Sequence, residues 1–156
     1  MANSSATGAA ASSADDLEAI RQLKARYFRF MDTKDWQAWR EVFADDVVGV
    51  FDNAVSTNGA DGQPGPTWQG ADVLVTSIRA AIEECITVHH GHTPEITLTS
   101  STTASGIWAM QDVVEFPNGH VLHGAGHYHE NYTKSGGIWR IQTIHLSRIR
   151  IVFSSG

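Results

Sequence analysis

Thr87-Val88-His89-His90-Gly91-His92 closes an apolar run and places three histidines within four positions. No other segment of the 156-residue chain gathers as much titratable chemistry in so little length. Read as a strand, it sets Thr87, His89 and Gly91 on one face and Val88, His90 and His92 on the other. One of those faces looks into the protein. What stands before and after this strand decides what it looks at.

Before it, the spacing is helical. Leu17, Ile20, Leu23, Tyr27 and Phe30 predict a first helix from Ala14 to about Lys34, capped by Ser13 with Asp15 and Asp16 in its first turn. Residues 1–13, rich in Ala and Ser, read as a disordered tail, which leaves 14–156 as a single domain. Asp35 caps a short second helix with Trp36, Trp39 and Phe43 on one face, ended by Asp45-Asp46. Val47 to Phe51 reads as a strand. Residues 52–67, rich in Gly, Pro and Asn, read as a long loop and a candidate lid. Gly70 opens a third helix, Ala71 to about Glu84, with Val73, Leu74, Ile78, Ala81 and Ile82 facing in.

After it, the pattern is β. Cys85 to His92 and Glu95 to Thr99 are strands, then Ala104 to Phe116, Val121 to Lys134 and Ile138 to Phe153. Turns fall at Pro117-Asn118-Gly119 and Ser135-Gly136-Gly137. Helices followed by hairpins predict an α+β fold: three N-terminal helices packed on a strongly curved, mostly antiparallel sheet. Such a cone-shaped cup takes a ligand on its concave side.

The bulk numbers narrow the function classes. Hydrophobic residues make up 42% and charged residues 18%, a globular balance. A net charge of -6 argues against a nucleic-acid partner, which needs a basic face. No apolar run reaches the roughly 18 residues of a membrane span. No Lys or Arg precedes Arg21 and no apolar stretch opens the chain, so it does not read as a secretory signal, and a cytoplasmic location is expected. Cys85 is the one cysteine, so no internal disulfide forms; beside Glu84 in an apolar run it reads as a buried structural thiol.

Several residues stand out for chemistry. Trp108, Met110, Asp112 and Val114 alternate onto one strand face. A carboxylate in that company needs a partner or a task, either a salt bridge at a strand edge or between subunits, or a role in a site. His89 or His90 points inward. Asp32 closes the first helix, where a surface residue would also fit. Tyr27 lies five positions earlier, about 140° away at 100° per residue, so spacing alone does not put the two on one face. His127 and His129 alternate as a plausible metal pair, but no cysteine joins them and zinc spacings are missing.

A resemblance joins these residues. Ala25-Arg26-Tyr27-Phe28-Arg29-Phe30-Met31-Asp32, Asp35-Trp36 and Phe43-Ala44-Asp45-Asp46-Val47 resemble the opening of SnoaL-like proteins of the nuclear-transport-factor-two-like superfamily. Residues 87–92 and 107–112, Gly126-His127-Tyr128-His129-Glu130 and Trp139-Arg140-Ile141 continue the match, over about residues 14–151. Within the superfamily the chain looks most like bile-acid 7α-dehydratase and scytalone dehydratase. The resemblance implies a catalytic pair of Asp32 and His89, with Tyr27 and Asp112 in further site positions. The chain departs from scytalone dehydratase in having Asp112-Val113-Val114 where a second His is found. It departs from a related dehydrochlorinase in having Tyr27 where that enzyme has Lys. A family arginine falls at Arg148 or Arg150, which strand alternation puts on one face.

The chemistry so implied is cofactor-free and metal-free loss of water. His89 removes a proton next to a carbonyl or conjugated system, and Asp32 orients the ring. Tyr27 stabilises the developing oxyanion, and Asp112, protonated in its apolar setting, protonates the leaving hydroxyl. The substrate expected is small, hydrophobic and ring-containing, with Trp36, Phe51, Trp68, Trp108, Met110, Leu146 and Arg148 as candidate contacts. A ketosteroid-type isomerase uses the same base without a leaving group. A non-catalytic ligand-binding or oxygenase-small-subunit role predicts Asp32 and His89 apart. A homo-oligomer, dimer or trimer, is expected, with Arg150-Ile151-Val152-Phe153 docked on a neighbour or continuing its own sheet.

Overall fold

Ala6 and Ala9-Ala10-Ala11, the best helix formers available, carry the first helix further back than the Ser13 cap suggests. The computed structural model describes residues 5–56 and 65–155, with side chains from Ser13 onward. Helix α1 spans Ser5–Asp32, so residues 5–13, expected as a disordered tail, are helical, and Ser13 lies inside the helix rather than at its cap. Residues 1–4 of that tail lie outside the described residues.

The remaining elements are α2 (Trp36–Arg40), β1 (Phe43–Val55), β2 (Thr67–Gln69), α3 (Ala71–Ile82), β3 (Ile86–Leu98), β4 (Thr103–Glu115), β5 (His120–Ser135) and β6 (Ile138–Ser155). Asp35 caps α2 as expected, its carboxylate accepting from the Ala38 N–H at 3.1 Å. Phe43, placed in that helix by its spacing, instead begins β1, and Asp45-Asp46 sit within the strand. Trp39 and Phe43 pack edge to face at 5.0 Å between ring centres, so the contact that mimics a helical stripe crosses from helix to strand. The expected lid, residues 52–67, is partly strand at both ends, and its centre, 57–64, lies outside the described residues.

Helix α3 buries Ala71, Leu74 and Val75, with Ile78 and Ile82 packed against the core. Val73 and Ala81, expected inside, are exposed: Val73 falls off the buried stripe, which keeps the 3.6-residue period, and Ala81 lies at its edge in the helix's last turn. The sheet order is β2-β1-β6-β5-β4-β3. All neighbours are antiparallel except β1 with β6, which run parallel. The two strands expected over 85–92 and 95–99 are one, β3, which starts at Ile86, ends at Leu98 and carries a register shift between His92 and Glu95. The β5–β6 turn puts both Gly136 and Gly137 at positive φ, as the tight primed turns of hairpins require.

The curved sheet lays its inner face on α1. Tyr27, Trp39, Phe43 and Tyr128 form the aromatic heart of the core. In their midst sits a charge. Lys24 is completely buried and pairs with the equally buried Glu130, whose second oxygen accepts from the Tyr132 hydroxyl. That hydroxyl in turn accepts from Trp108 Nε1 at 2.8 Å. The ammonium lies 3.6 Å from the Tyr128 ring centre, 4.0 Å from that of Tyr27 and 4.8 Å from that of Phe28, three cation–π contacts away from water. Burial pushes the Lys24 ammonium down to about 8 despite Glu130.

Removing one partner of such a pair strands the other. Lys24→Met is expected to cost about 3–5 kcal/mol in urea unfolding, and Lys24→Met with Glu130→Gln to restore much of the loss. A double variant as unstable as the single one would show that the pair does not act as a unit.

Candidate functional site

The last turn of α1 and the first half of β3 meet at Asp32 and His89. Asp32 Oδ1 lies 2.6 Å from His89 Nδ1, and Oδ2 accepts the His89 backbone N–H at 2.9 Å. The Thr87 hydroxyl donates to Oδ1 at 3.0 Å and accepts from Lys34 Nζ at 2.8 Å. Strand alternation explains the selection: Thr87 and His89 are buried on the inner face, while Val88, His90 and His92 are exposed on the outer one. The carboxylate takes up Nδ1, and Nε2 has no hydrogen bond to any described residue. Side-chain exposure is 7% for His89 and 22% for Asp32, so the pair is sheltered but not sealed.

Directly opposite His89 on β4 stands Asp112, buried to 3%. It is not isolated in apolar surroundings. Arg148 grips both of its oxygens, Nη1 to Oδ1 and Nη2 to Oδ2, each at 2.7 Å. This corrects the role expected of it: with both oxygens accepting from a guanidinium, neither is placed to carry an acidic proton. The carboxylate pulls the Arg148 guanidinium above its usual value in spite of burial. Gly124 makes the clasp possible, since a Cβ there would stand 2.0 Å from Asp112 Oδ1 and 2.2 Å from Arg148 Nη1. Arg148 and Arg150 do not share a face. A bulge opposite Ala125 and Gly126 inserts Ile149 between them, turning Arg148 inward and leaving Arg150 exposed on the outer side.

Tyr27 is wholly buried in the aromatic core. Its oxygen faces the Tyr128 hydroxyl without a hydrogen bond of good geometry, and burial raises both phenols well above their usual range. The expected walls divide. Trp108, Met110 and Leu146 are core residues at 6%, 2% and 3% exposure. Trp36, Phe51 and Trp68 are half-buried, and Phe51 lies 5.5 Å from Trp68 between ring centres. His127 and His129 lie on the outer face of β5, their ring centres 6.3 Å apart. Among the described residues no three His, Cys, Asp or Glu side chains converge as a metal site would require.

The sequence alone assigns no role to Thr87, Lys34, Lys24 or Tyr128. For Lys24 a signal existed. Tyr128, Glu130 and Tyr132 alternate onto one buried face, and a carboxylate there demands a cation.

The chain matches the SnoaL-like domain family over residues 12–145. A probable cyclase from Gibberella zeae is 23% identical over 133 residues, 83% of this chain and 89% of that protein. Among solved structures, a type 2 hexachlorocyclohexane dehydrochlorinase superposes with a TM-score of 0.76 at 16% identity, covering 93% of each chain. A candidate scytalone dehydratase from Novosphingobium aromaticivorans gives 0.73 at 15% identity, covering 92% of this chain and 90% of its own. With helices packed on a curved sheet and a match over most of its length, this chain belongs to the SnoaL-like family.

Proposed function

We propose that the protein is a cofactor-independent lyase of the dehydratase type, acting on a small, hydrophobic, ring-containing substrate. The observation that carries this reading is the 2.6 Å contact between Asp32 and His89 on the sheltered inner face. Held through Nδ1, the imidazole presents Nε2 as a base to a carbon next to a carbonyl or conjugated system. The C–H electrons pass to the carbonyl oxygen, and the proton to Nε2. Asp32 stabilises the imidazolium so formed. General-base catalysis of this kind contributes about 10²–10⁴-fold.

The leaving hydroxyl needs a proton, and Asp112 has no free oxygen for it. The imidazolium of His89 is then the acid: it returns the proton to the departing oxygen, the C–O bond breaks, and water leaves. Arg148, permanently charged and reaching across β5 to Asp112, the cross-strand partner of His89, stabilises the developing enolate. Tyr27 contributes from within the core rather than by touching the ligand. Trp36, Phe51 and Trp68, the half-buried aromatics, are the contacts we assign to the substrate ring.

The locked Asp112 also favours a second reading, a ketosteroid-type isomerase, in which one base moves a proton between two carbons and no separate acid is needed. A purely ligand-binding role gives Asp32 and His89 no reason to meet. We also propose self-association as a homo-oligomer, supported by the exposure of Ile86, Val88, Val152 and Phe153 along the β-strands. Residues 150–153 pair with β5 of their own sheet along one edge, while the ladder with β1 ends at Arg148. Among the described residues no helix is long and apolar enough to cross a membrane.

Hydroxy-ketone steroids and polyketide intermediates, screened by mass, separate the readings: a dehydratase product is lighter by one water, an isomerase product unchanged. His89→Ala and Asp32→Asn are expected to lower turnover by about 10²-fold or more. Full activity of both on every accepted substrate would end the enzyme reading. Gly124→Ala, which unseats the buried Asp112–Arg148 clasp, is expected to lower both kcat and the melting temperature. Light scattering on the purified protein is expected to give a mass above that of one chain.

A further inference from the structure

The chain leaves α1 through an uncommon residue. Lys34 has a φ of 60°, the left-handed conformation in which glycine is the usual occupant. The hydrogen bonds around it name the position. Asp35 N–H donates to Phe30 O at 2.9 Å and Lys34 N–H to Met31 O at 3.2 Å, the paired closure of a Schellman motif. In that motif the left-handed residue is most often Gly or Asn. A lysine here carries backbone strain that a glycine would not, so its side chain is where a compensating role should be sought.

That side chain turns back toward the site. Lys34 Nζ donates to Thr87 Oγ1 at 2.8 Å, and its stem is part-buried, with the ammonium 5.8 Å from the Trp36 ring centre. An ammonium has only protons to give. Thr87 must therefore accept from Lys34, and its single hydroxyl proton is directed to Asp32 Oδ1, 3.0 Å away. Asp32 Oδ2 already accepts the His89 N–H. Both carboxylate oxygens thus meet donors before the imidazole is counted. Nδ1, at 2.6 Å from Oδ1, must then supply a proton too, which leaves Nε2 with its lone pair. Burial lowers the Lys34 ammonium against the opposing pull of Asp32, consistent with an amine drawn into the site rather than left in water.

We infer that Lys34 is a positioning residue that, through the Thr87 hydroxyl, fixes the tautomer of His89 with its proton on Nδ1. The inference gives the proposed base its polarity and rests on that reading for its purpose, but its test needs no substrate.

The experiment is ¹⁵N NMR of the full chain with ¹⁵N-labelled histidine, at a pH where the His89 ring is neutral, with His89 assigned by its loss in His89→Ala. The wild type is expected to show Nδ1 protonated and Nε2 bare. Lys34→Met, Lys34→Gly and Thr87→Val are each expected to lower the ratio of the Nδ1–H to the Nε2–H form by about fivefold, the worth of one net hydrogen bond. Thr87→Ser, which keeps the hydroxyl, is expected to hold the wild-type ratio. Lys34→Gly separates positioning from stability, because glycine suits the left-handed position: it is expected to melt no lower than wild type while still losing the tautomer preference. An unchanged ratio in Lys34→Met, Lys34→Gly and Thr87→Val would overturn the inference. A shifted ratio, together with full turnover by His89→Ala, would instead count against the lyase reading alone.

Discussion

The placement of α1 along the sheet is the constraint on which the rest depends, and three polar ties hold it. Asp16 accepts from Lys134 Nζ at 2.6 Å and Trp139 Nε1 at 2.9 Å. Lys24 pairs with Glu130, and Asp32 meets Thr87 and His89. The helical residues stand eight apart, a rise of about 12 Å with a turn of roughly 80° beyond two full circles. The ties therefore trace a slow spiral that carries the helix from the β5–β6 hairpin at one end to β3 at the other. A slip of one residue would rotate Asp32 by about 100° and part it from the histidine. Hydrophobic packing alone would tolerate small displacements; ion pairs and charge-assisted hydrogen bonds do not.

The middle tie is costly to desolvate, and its surroundings show how the cost is offset. Glu130 is satisfied by Lys24 and Tyr132, Tyr132 by Trp108, and the ammonium by Glu130 and three ring faces. A buried polar network is favourable when every member is served. Near the candidate site Asp112 is likewise given to Arg148, although the Arg148 Nε stays buried with no hydrogen-bond partner among the described residues. Two carboxylates flank His89, Asp32 at the end of α1 and Asp112 opposite it on β4, and they receive different partners, an imidazole and a guanidinium. Only the first partner is a base.

Much of this was legible in the residues. The order of helices and strands followed from period and turn chemistry, and the inward face of β3 from simple alternation. The Asp32–His89 pairing came from resemblance, since nothing in local spacing joins a helix end to a strand 57 positions later. What escaped was long-range. Arg148 seemed to share a face with Arg150 because a bulge has no mark in an apolar strand. Lys24 looked like any solvated lysine on an amphipathic helix, its burial decided by a glutamate 106 residues away. Phe43 followed Trp39 at helical spacing because the chain turns from α2 into β1 while keeping both rings on one surface. Lys34 bears no sequence mark of its place, because the left-handed position of a Schellman closure is usually signalled by glycine.

The parallel pairing of β1 with β6 bears on how the molecule is made. Strand β6 lies between β1 and β5 in the sheet, yet it is translated after every strand it joins. On the ribosome, β1 with its short partner β2 and the β3–β5 meander must wait as two unconnected pieces, with Ile141, Ile144 and Leu146 still to come. The core can close only when that central strand slides between them, so assembly is dominated by contacts distant along the chain, a topology that folds slowly. Chaperone demand during synthesis should therefore concentrate in the interval after β5 emerges and before β6 is in place.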